Sequence, residues 1–259
     1  MSRSNPSANT PNPSTRWFEW NGEHGGIRYY DKESKKNVSV PNFTFIVLDE
    51  LSTVRGWHEA SESGIFANEV RDTKQDVLVV KSFKGGELAS GLYQTIRDRV
   101  GNLGGHFMLN MYIAYKHEDG ALKLGALQFK GAALNAWVEF RKQHRAEVLT
   151  GAVKITGNVE GKKGKVIYQM PEFGMTKISE ATNKEAIALD VSLQEYLKEY
   201  LSRPRGDAAK PQLDKEQLKA ADAECAKAEQ AADQRRADEE LSRQIAREDA
   251  HDPEDELDF

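Results

Sequence analysis

The hydrophobic pattern in the first part of the chain has the period of two that is typical of β-strands. Residues 42–54 begin with alternating Phe43, Phe45 and Val47 and continue past a polar break, which predicts one long strand with a bend. Short apolar runs between turn-forming residues predict five further strands, at 17–20, 27–30, 37–40, 65–70 and 77–83. The three N-terminal strands are expected to form a meander.

The second half of the body alternates between hairpins and amphipathic helices. Runs at 105–116 and 121–130 flank His117-Glu-Asp-Gly120, whose Asp-Gly pair predicts a tight turn. A lysine-rich turn predicts a second hairpin between 152–159 and 165–170. Apolar residues at helical spacing predict three helices, at 90–100, 132–143 and 179–201.

Roughly eight to ten short strands with a few helices indicate a mainly β fold of the α+β class. We predict an OB-fold-like Greek-key barrel at 16–203, elaborated by the N-terminal meander and sealed by the C-terminal helix. Around it we expect a disordered N-terminus at 1–15, a charged, partly helical spacer at 204–247, and a disordered acidic tip at 248–259.

Charge is distributed unevenly along the chain. From Arg205 onward there are nine Lys and Arg against seventeen Asp and Glu, a net charge of −8. Residues 1–204 carry 27 against 24, a net charge of +3. This asymmetry suits a protein whose body binds an anion and whose tail has a separate role.

The composition argues against several classes of protein. The single Cys225 allows no disulfide framework, and we find no apolar run of membrane-spanning length and no secretory leader pattern, so we expect a cytoplasmic protein. The six histidines are widely spaced, and no nucleophile elbow or phosphate-binding loop is present. We therefore expect no catalytic residue, no metal and no cofactor.

Aromatic and basic residues interleave at 17–36, 112–130 and 154–173. Proteins that bind single strands without sequence preference need aromatic faces for the bases and cations for the phosphates. For the lysines of the second hairpin turn, simple solvation of the turn is an equal alternative. The predicted DNA-binding residues are Trp20, Arg28, Tyr30, Lys32, Lys35, Lys36, Lys81, Tyr112, Tyr115, Lys116, Lys123, Lys130, Lys154, Lys162, Lys163, Lys165 and Tyr168.

The last twelve residues, 248–259, hold seven carboxylates, no Lys or Arg, and two apolar side chains at their end. Such a run stays in solvent, because desolvating unpaired carboxylates costs more than burying two apolar groups returns. A terminal Phe can fill a partner's pocket while the carboxylates meet Arg or Lys. The alternative is a tail that only solubilises. The predicted partner-binding residues are Asp255, Glu256, Leu257, Asp258 and Phe259.

Four stretches carry a resemblance to a known family: Pro41-Asn-Phe-Thr-Phe-Ile-Val-Leu-Asp-Glu-Leu51, Lys84-Gly-Gly-Glu-Leu-Ala-Ser-Gly-Leu-Tyr93, Gly131-Ala-Ala-Leu-Asn-Ala-Trp137 with Glu139-Phe140, and Leu193-Gln-Glu-Tyr-Leu197. With them, most of residues 17–201 resembles the single-stranded DNA-binding proteins of tailed bacteriophages. The resemblance implies an OB-fold protein that coats single-stranded DNA, in the host cytoplasm, during replication, recombination and repair.

The tip is similar to the acidic, Phe-terminated tails of bacterial and phage single-strand binders. By that resemblance it recruits enzymes such as a DNA polymerase, a helicase or a nuclease. Bacterial tails usually have Pro before the final Phe, whereas this chain has Asp258. Capture by a phage-encoded partner and capture by a host enzyme therefore both stay open.

The sequence thus predicts a non-catalytic protein that binds and protects single-stranded DNA largely without sequence specificity. The tip carboxylates are expected to compete with DNA for the basic groove. One alternative is a scaffold whose barrel binds protein and whose tail only solubilises. A strand-annealing factor or a nuclease is a further alternative.

Overall fold

A single branched β-sheet with three helices forms the part of the chain that the computed structural model describes, residues 11–203. The predictions for 1–10, for the spacer and for the tip lie outside these residues. The strands are β1 Trp17–Trp20, β2 Ile27–Asp31, β3 Lys36–Val40, β4 Thr44–His58, β5 Ser63–Ala67, β6 Leu78–Ser82, β7 Gly86–Gly91, β8 Gly105–Lys116, β9 Leu122–Lys130, β10 Ala152–Lys163 and β11 Val166–Thr176. The helices are α1 Tyr93–Asn102, α2 Gly131–Gln143 and α3 Glu180–Ser202. The predicted mainly β class with a few helices is confirmed.

The sheet runs in the order β3-β2-β1-β9-β8-β4-β5-β6-β7, and β10 joins it by pairing with both β4 and β11. A five-stranded OB-like barrel has three strands, a helix and two more strands in chain order. The same order is found here in β4, β8 and β9, then α2, then β10 and β11. The β-ladders leave this sheet open between β9 and β11. Strand β1 lies in that gap, parallel to β9.

The end of β1 is also bonded to β11. The backbone N–H of Gln169 donates to the carbonyl of Gly22 at 2.7 Å. The indole N–H of Trp20 donates to the carbonyl of Gln169 at 2.8 Å. The N-terminal meander thus bridges the gap in the barrel wall, and the arrangement is consistent with the predicted barrel-like fold.

Strand β4 bends at a β-bulge between Val47 and Asp49, where one extra residue interrupts the register with β8. Before the bulge, odd-numbered residues such as Phe45 point into the barrel core. After it, odd-numbered Leu51 packs on the other face of the sheet. The predicted long strand with a bend is therefore confirmed, and the bend reverses which residues face outward.

The barrel core is largely aromatic and lies on one face of the sheet. Phe18, Phe45, Phe129 and Trp137 are buried there, and α2 closes one end of the barrel through Trp137. The indole N–H of Trp137 donates to Glu50 at 2.8 Å, which satisfies its only polar atom. A second core forms where α1 packs on strands β4 to β7.

Helix α3 covers part of the opposite face, which we call the outer face. Ser179 caps the helix by accepting a hydrogen bond from the Thr182 N–H at 3.1 Å. Leu193 and Leu197 are fully buried against Leu51 of β4 and Leu124 of β9. The predicted C-terminal helix is present, but it covers the outer face of the sheet instead of sealing an end of the barrel, which α2 closes.

Several element boundaries differ from the predictions. Residues 86–91 form strand β7, so α1 begins at Tyr93 rather than at residue 90. Strand β11 continues through Pro171, which an edge strand tolerates. The prediction of disorder is wrong for Thr15, because its N–H and hydroxyl both donate to the carbonyl of Leu124 at 2.8 Å.

Candidate nucleic-acid interface

Three aromatic residues that the sequence placed at the DNA surface are core residues. Tyr115 lies inside the barrel, with its ring edge-to-face against Phe18 at 4.8 Å. Tyr112 is fully buried beneath α3, and Trp20 is 8 % exposed. None of the three can stack on a base without loss of the core. Their predicted roles are wrong because charged sequence neighbours do not show which face of a strand a ring occupies.

The two other predicted aromatic residues are partly exposed. Tyr30 lies on β2, next to the lysine-rich turn that leads to β3. Tyr168 lies on β11 opposite Gly161, and a Cβ at Gly161 would come within 2.4 Å of its ring. The missing side chain at 161 is what lets the tyrosine ring lie across the hairpin.

The predicted basic residues are spread over several surfaces. Those exposed to solvent are Lys32, Lys35, Lys36, Lys116, Lys130, Lys154, Lys162 and Lys165, while Arg28, Lys81 and Lys123 are partly buried. Arg28 pairs with Glu19 at 2.7 Å, and Lys123 pairs with Asp119 at 2.8 Å. The strand β10 also contains Lys163.

Two of these lysines mark opposite ends of the β8–β9 hairpin. Lys130 pairs in register with Met108, whereas Lys116 pairs with Leu122, eight residues further along β8. At about 3.3 Å per residue this separates them by roughly 26 Å. The predicted set therefore does not form one groove, and Lys116 and Lys123 lie apart from Lys130.

In OB folds the second and third strands present the face that binds oligonucleotides, flanked by the loops between strands one and two and between strands four and five. Here that face is the outer face of β8 and β9, and the second loop is the β10–β11 hairpin. Helix α3 covers its part around Tyr112. At the far end of β9, Lys130 is exposed to solvent.

An arginine that the sequence reasoning missed lies on this outer face. Arg55 pairs in register with His106, so after the β4 bulge it points outward. Its guanidinium lies 5.9 Å from the ring centroid of Trp17, a cation–π distance. Its Nε is buried and has no hydrogen-bond partner among residues 11–203. A buried donor without a partner marks a place where a ligand acceptor would be favourable.

Alternation along β1 could have identified Trp17. Phe18 and Trp20 belong to the barrel core, so Trp17 occupies the opposite side of the strand. Only one of the two tryptophans of this strand can face outward, and the prediction chose the wrong one. No comparable alternation identifies Arg55 from the sequence, because its outward orientation depends on the β-bulge in β4.

A buried carboxylate lies beneath α3, close to Arg55. Glu69 accepts hydrogen bonds from Asn110 at 2.7 Å and from the Tyr112 hydroxyl at 2.8 Å. Desolvation raises the pKa of Glu69. The Tyr112 hydrogen bond, the charge of Arg55 and the Asn110 hydrogen bond oppose this effect.

The C-terminal end of α3 is attached to this site. The backbone N–H of Glu69 donates to the Tyr200 hydroxyl at 2.9 Å. The guanidinium of Arg203 lies 5.7 Å from the Tyr200 ring centroid, so a second aromatic–cation pair ends the helix.

A hollow of about 310 Å³ opens at the start of α2, lined in part by Trp20, His106, Lys130 and Gln169. No side chain within residues 11–203 caps helix α2, so its first N–H groups and Lys130 both favour an anion there. Partial desolvation, and then the charge of Lys130, lower the pKa of His106. The lowered pKa favours the neutral form of the imidazole near pH 7.

The β10–β11 hairpin is an exposed arm with mixed chemistry. Val159, Val166 and Ile167 are 44 %, 54 % and 54 % exposed. Lys162 and Lys165 flank its turn and are exposed as well. Apolar and cationic groups on one arm can contact bases and phosphates together.

The residues that the structure describes contain no group of three or more His, Cys, Asp or Glu side chains placed to hold a metal ion. No helix among them combines the length and the apolar character needed to span a membrane. Comparison of the chain with protein-family models, with curated proteins and with solved structures found no match.

Proposed function

We propose that this chain is a non-catalytic protein that binds and protects single-stranded DNA largely without sequence specificity. The observation that carries the proposal is the Arg55 guanidinium beside Trp17 on the outer face of the barrel, with its buried Nε lacking a partner among the described residues. An aromatic face next to a cation is what a nucleotide needs, since the ring stacks on the base and the cation meets the phosphate.

The surrounding groups extend this site along the strand direction. Lys130, His106 and the first N–H groups of α2 surround the adjacent hollow, which can receive a second phosphate. Contacts to phosphates and to base faces carry little sequence information, because every nucleotide has both. The binding we propose is therefore electrostatic and stacking in character, and sensitive to salt.

The resemblance in sequence extends the proposal to phage DNA replication, recombination and repair in the host cytoplasm. The acidic tip, residues 248–259, would recruit a partner such as a DNA polymerase, a helicase or a nuclease. Asp255, Glu256, Leu257, Asp258 and Phe259 are the residues we assign to that contact.

Titration of the full chain with oligothymidine, followed by intrinsic tryptophan fluorescence, tests the proposal. We expect saturable quenching that weakens with salt and is smaller in a Trp17→Phe variant. Duplex DNA of the same length is the control and should bind more weakly. Absence of saturable quenching and of any mobility shift would favour the scaffold alternative. Cleavage in Mg²⁺ or accelerated annealing would favour a nuclease or an annealing factor.

A further inference from the structure

A groove of about 910 Å³ runs between helix α2 and strands β4 and β8, and we call it the α2 groove. Its floor includes Phe107 and Leu109, which pair in register with Val54 and Ser52. Successive strand residues face opposite sides of a sheet, so this floor lies on the opposite face from Asn110, Tyr112 and Arg55. The α2 groove and the proposed DNA surface thus use the two faces of the same strands.

The chemistry of the groove combines an apolar lining with a cationic rim. Leu134 and Val138 of α2 line one wall, and Val138 is 42 % exposed. Four lining side chains are cationic and one, Glu50, is a carboxylate that pairs with Arg141. Arg145 forms no ion pair with another residue of the 11–203 range.

This chemistry favours an acidic peptide with apolar side chains over a nucleic acid strand. Base binding needs accessible aromatic faces, whereas Trp137 is fully buried and the ring of Phe107 packs against Tyr93 of α1 at 4.6 Å. An acidic segment would meet the rim cations Arg145 and Lys142, and its apolar residues would cover Leu109, Leu134 and Val138. The exposed Lys142–Glu139 pair, at 2.7 Å, is a weak competitor for such a ligand.

We propose that the α2 groove binds the acidic tip of this chain, residues 248–259. The tip supplies seven carboxylates for the rim, and Leu257 and Phe259 for the apolar lining. Residues 204–247, which join it to α3, span at most roughly 150 Å when extended, several times the radius of a domain of this size. Because the groove lies on the opposite face from Arg55, the docked tip leaves the proposed DNA surface open, and this proposal replaces the competition with DNA that was expected from the sequence.

Photo-cross-linking of the full chain with p-benzoylphenylalanine in place of Phe259 tests the proposal. Mass spectrometry should map the cross-links to α2 or to residues 107–109 of β8. The matched control carries the same photoprobe in place of Gln230, in the segment before the tip. Cross-links to Arg55, Lys130 or their strand neighbours, or a yield no higher than in this control, would overturn the proposal.

Surface variants sharpen the assignment. Arg145→Glu and Val138→Asp should each lower the cross-link yield roughly fivefold, whereas Val191→Asp, at an exposed site of α3, should leave it unchanged. Thermal unfolding of each variant checks the fold.

A competition experiment tests whether the tip and DNA bind different surfaces. Saturating oligothymidine should not change the cross-link yield, and a fall in yield would show that the tip and DNA share one surface. The docking of the tip does not depend on the proposed function. If oligothymidine causes no quenching but the cross-link to the α2 groove is found, the proposed function is wrong and the docking proposal stands.

Discussion

The hydroxyl group of Tyr112 lies 2.8 Å from Oε2 of Glu69, and the two side chains share a buried site beneath α3. A buried carboxylate is tolerated only when hydrogen bonds replace its lost hydration. Tyr112 and Asn110 supply those bonds from neighbouring positions on one face of β8. The tyrosine therefore serves the fold, although its sequence context resembles that of a base-stacking residue.

A Tyr112→Phe variant should separate these two roles. Loss of the hydroxyl leaves Glu69 with one fewer donor, so the free energy of unfolding should fall by about 1–3 kcal/mol in chemical denaturation. Affinity for oligothymidine should not change, because the ring cannot reach a base. Tyr168→Phe, on the exposed hairpin, is the matched control and should leave stability within about 0.5 kcal/mol of the wild type. A large loss of DNA affinity in Tyr112→Phe would contradict the assignment of Tyr112 to the core.

Substitution at Arg55 tests the proposed DNA surface most directly. Arg55→Met keeps the length of the side chain and removes its charge, so affinity for oligothymidine should fall by roughly tenfold and the slope of log affinity against log salt should become shallower by about one unit. Arg97→Met, on the exposed side of α1, controls for a general loss of charge, and thermal unfolding checks that Arg55→Met still folds, since the charge of Arg55 also stabilises the buried Glu69 carboxylate. Fluorescence titrations at several salt concentrations measure both effects, and equal losses in the two variants would argue against a local site.

Removal of the Trp17 ring should lower the affinity for DNA without the change in salt dependence expected for Arg55→Met. Trp17→Leu takes away the stacking face and keeps an apolar side chain, so affinity should fall by about 1–3 kcal/mol with little change in the salt slope. Electrophoretic mobility shifts can measure this without relying on tryptophan emission. Unchanged affinity in this variant would remove Trp17 from the interface.

DNA binding should depend on pH through His106. Its pKa is lowered in the free protein by partial desolvation and by Lys130, and a phosphate beside it would raise that pKa. Binding is then coupled to proton uptake, so affinity should rise as pH falls through the interval between the free and bound pKa values. NMR titration of the imidazole with and without oligothymidine measures the two values. A His106→Gln variant should lose this pH dependence.

Stability should decline at alkaline pH because of the tyrosines beneath α3. Desolvation and the charge of Glu69 raise the pKa values of Tyr112, Tyr196 and Tyr200 above the ordinary value of 10. The native state therefore keeps these protons after the unfolded chain loses them, and the free energy of unfolding falls as pH rises above about 10. Tyr200→Phe should reduce that slope by about 1.4 kcal/mol per pH unit, as measured by denaturation at several pH values. An unchanged slope would indicate that Tyr200 ionises normally in the folded protein.

Elements whose signal is local were predictable from the sequence. The turn before Gly120 was found because Asp-Gly favours a positive φ, and the glycine has φ of +83°. Helix α3 was predictable from its apolar spacing, and the structure adds the Ser179 cap. The outward-facing side of each strand was not predictable in the same way. Alternation separates Trp17 from Trp20, but only the packing of the barrel decides which of them is inside.

The extra residue in β4 sets how the two surfaces of this strand respond to changes in chain length. Deleting Leu48 would remove the bulge and leave a regular ladder, in which Asp49 can still pair with Tyr112 and Arg55 with His106. Later side chains of the strand would then keep their faces, so Arg55 would stay beside Trp17, and Glu50 and Ser52 would stay in the α2 groove. A further residue inserted without a second bulge would instead turn the later side chains to the other face and abolish both surfaces at once. Insertions in this segment should therefore be selected against more strongly than loss of the bulge residue.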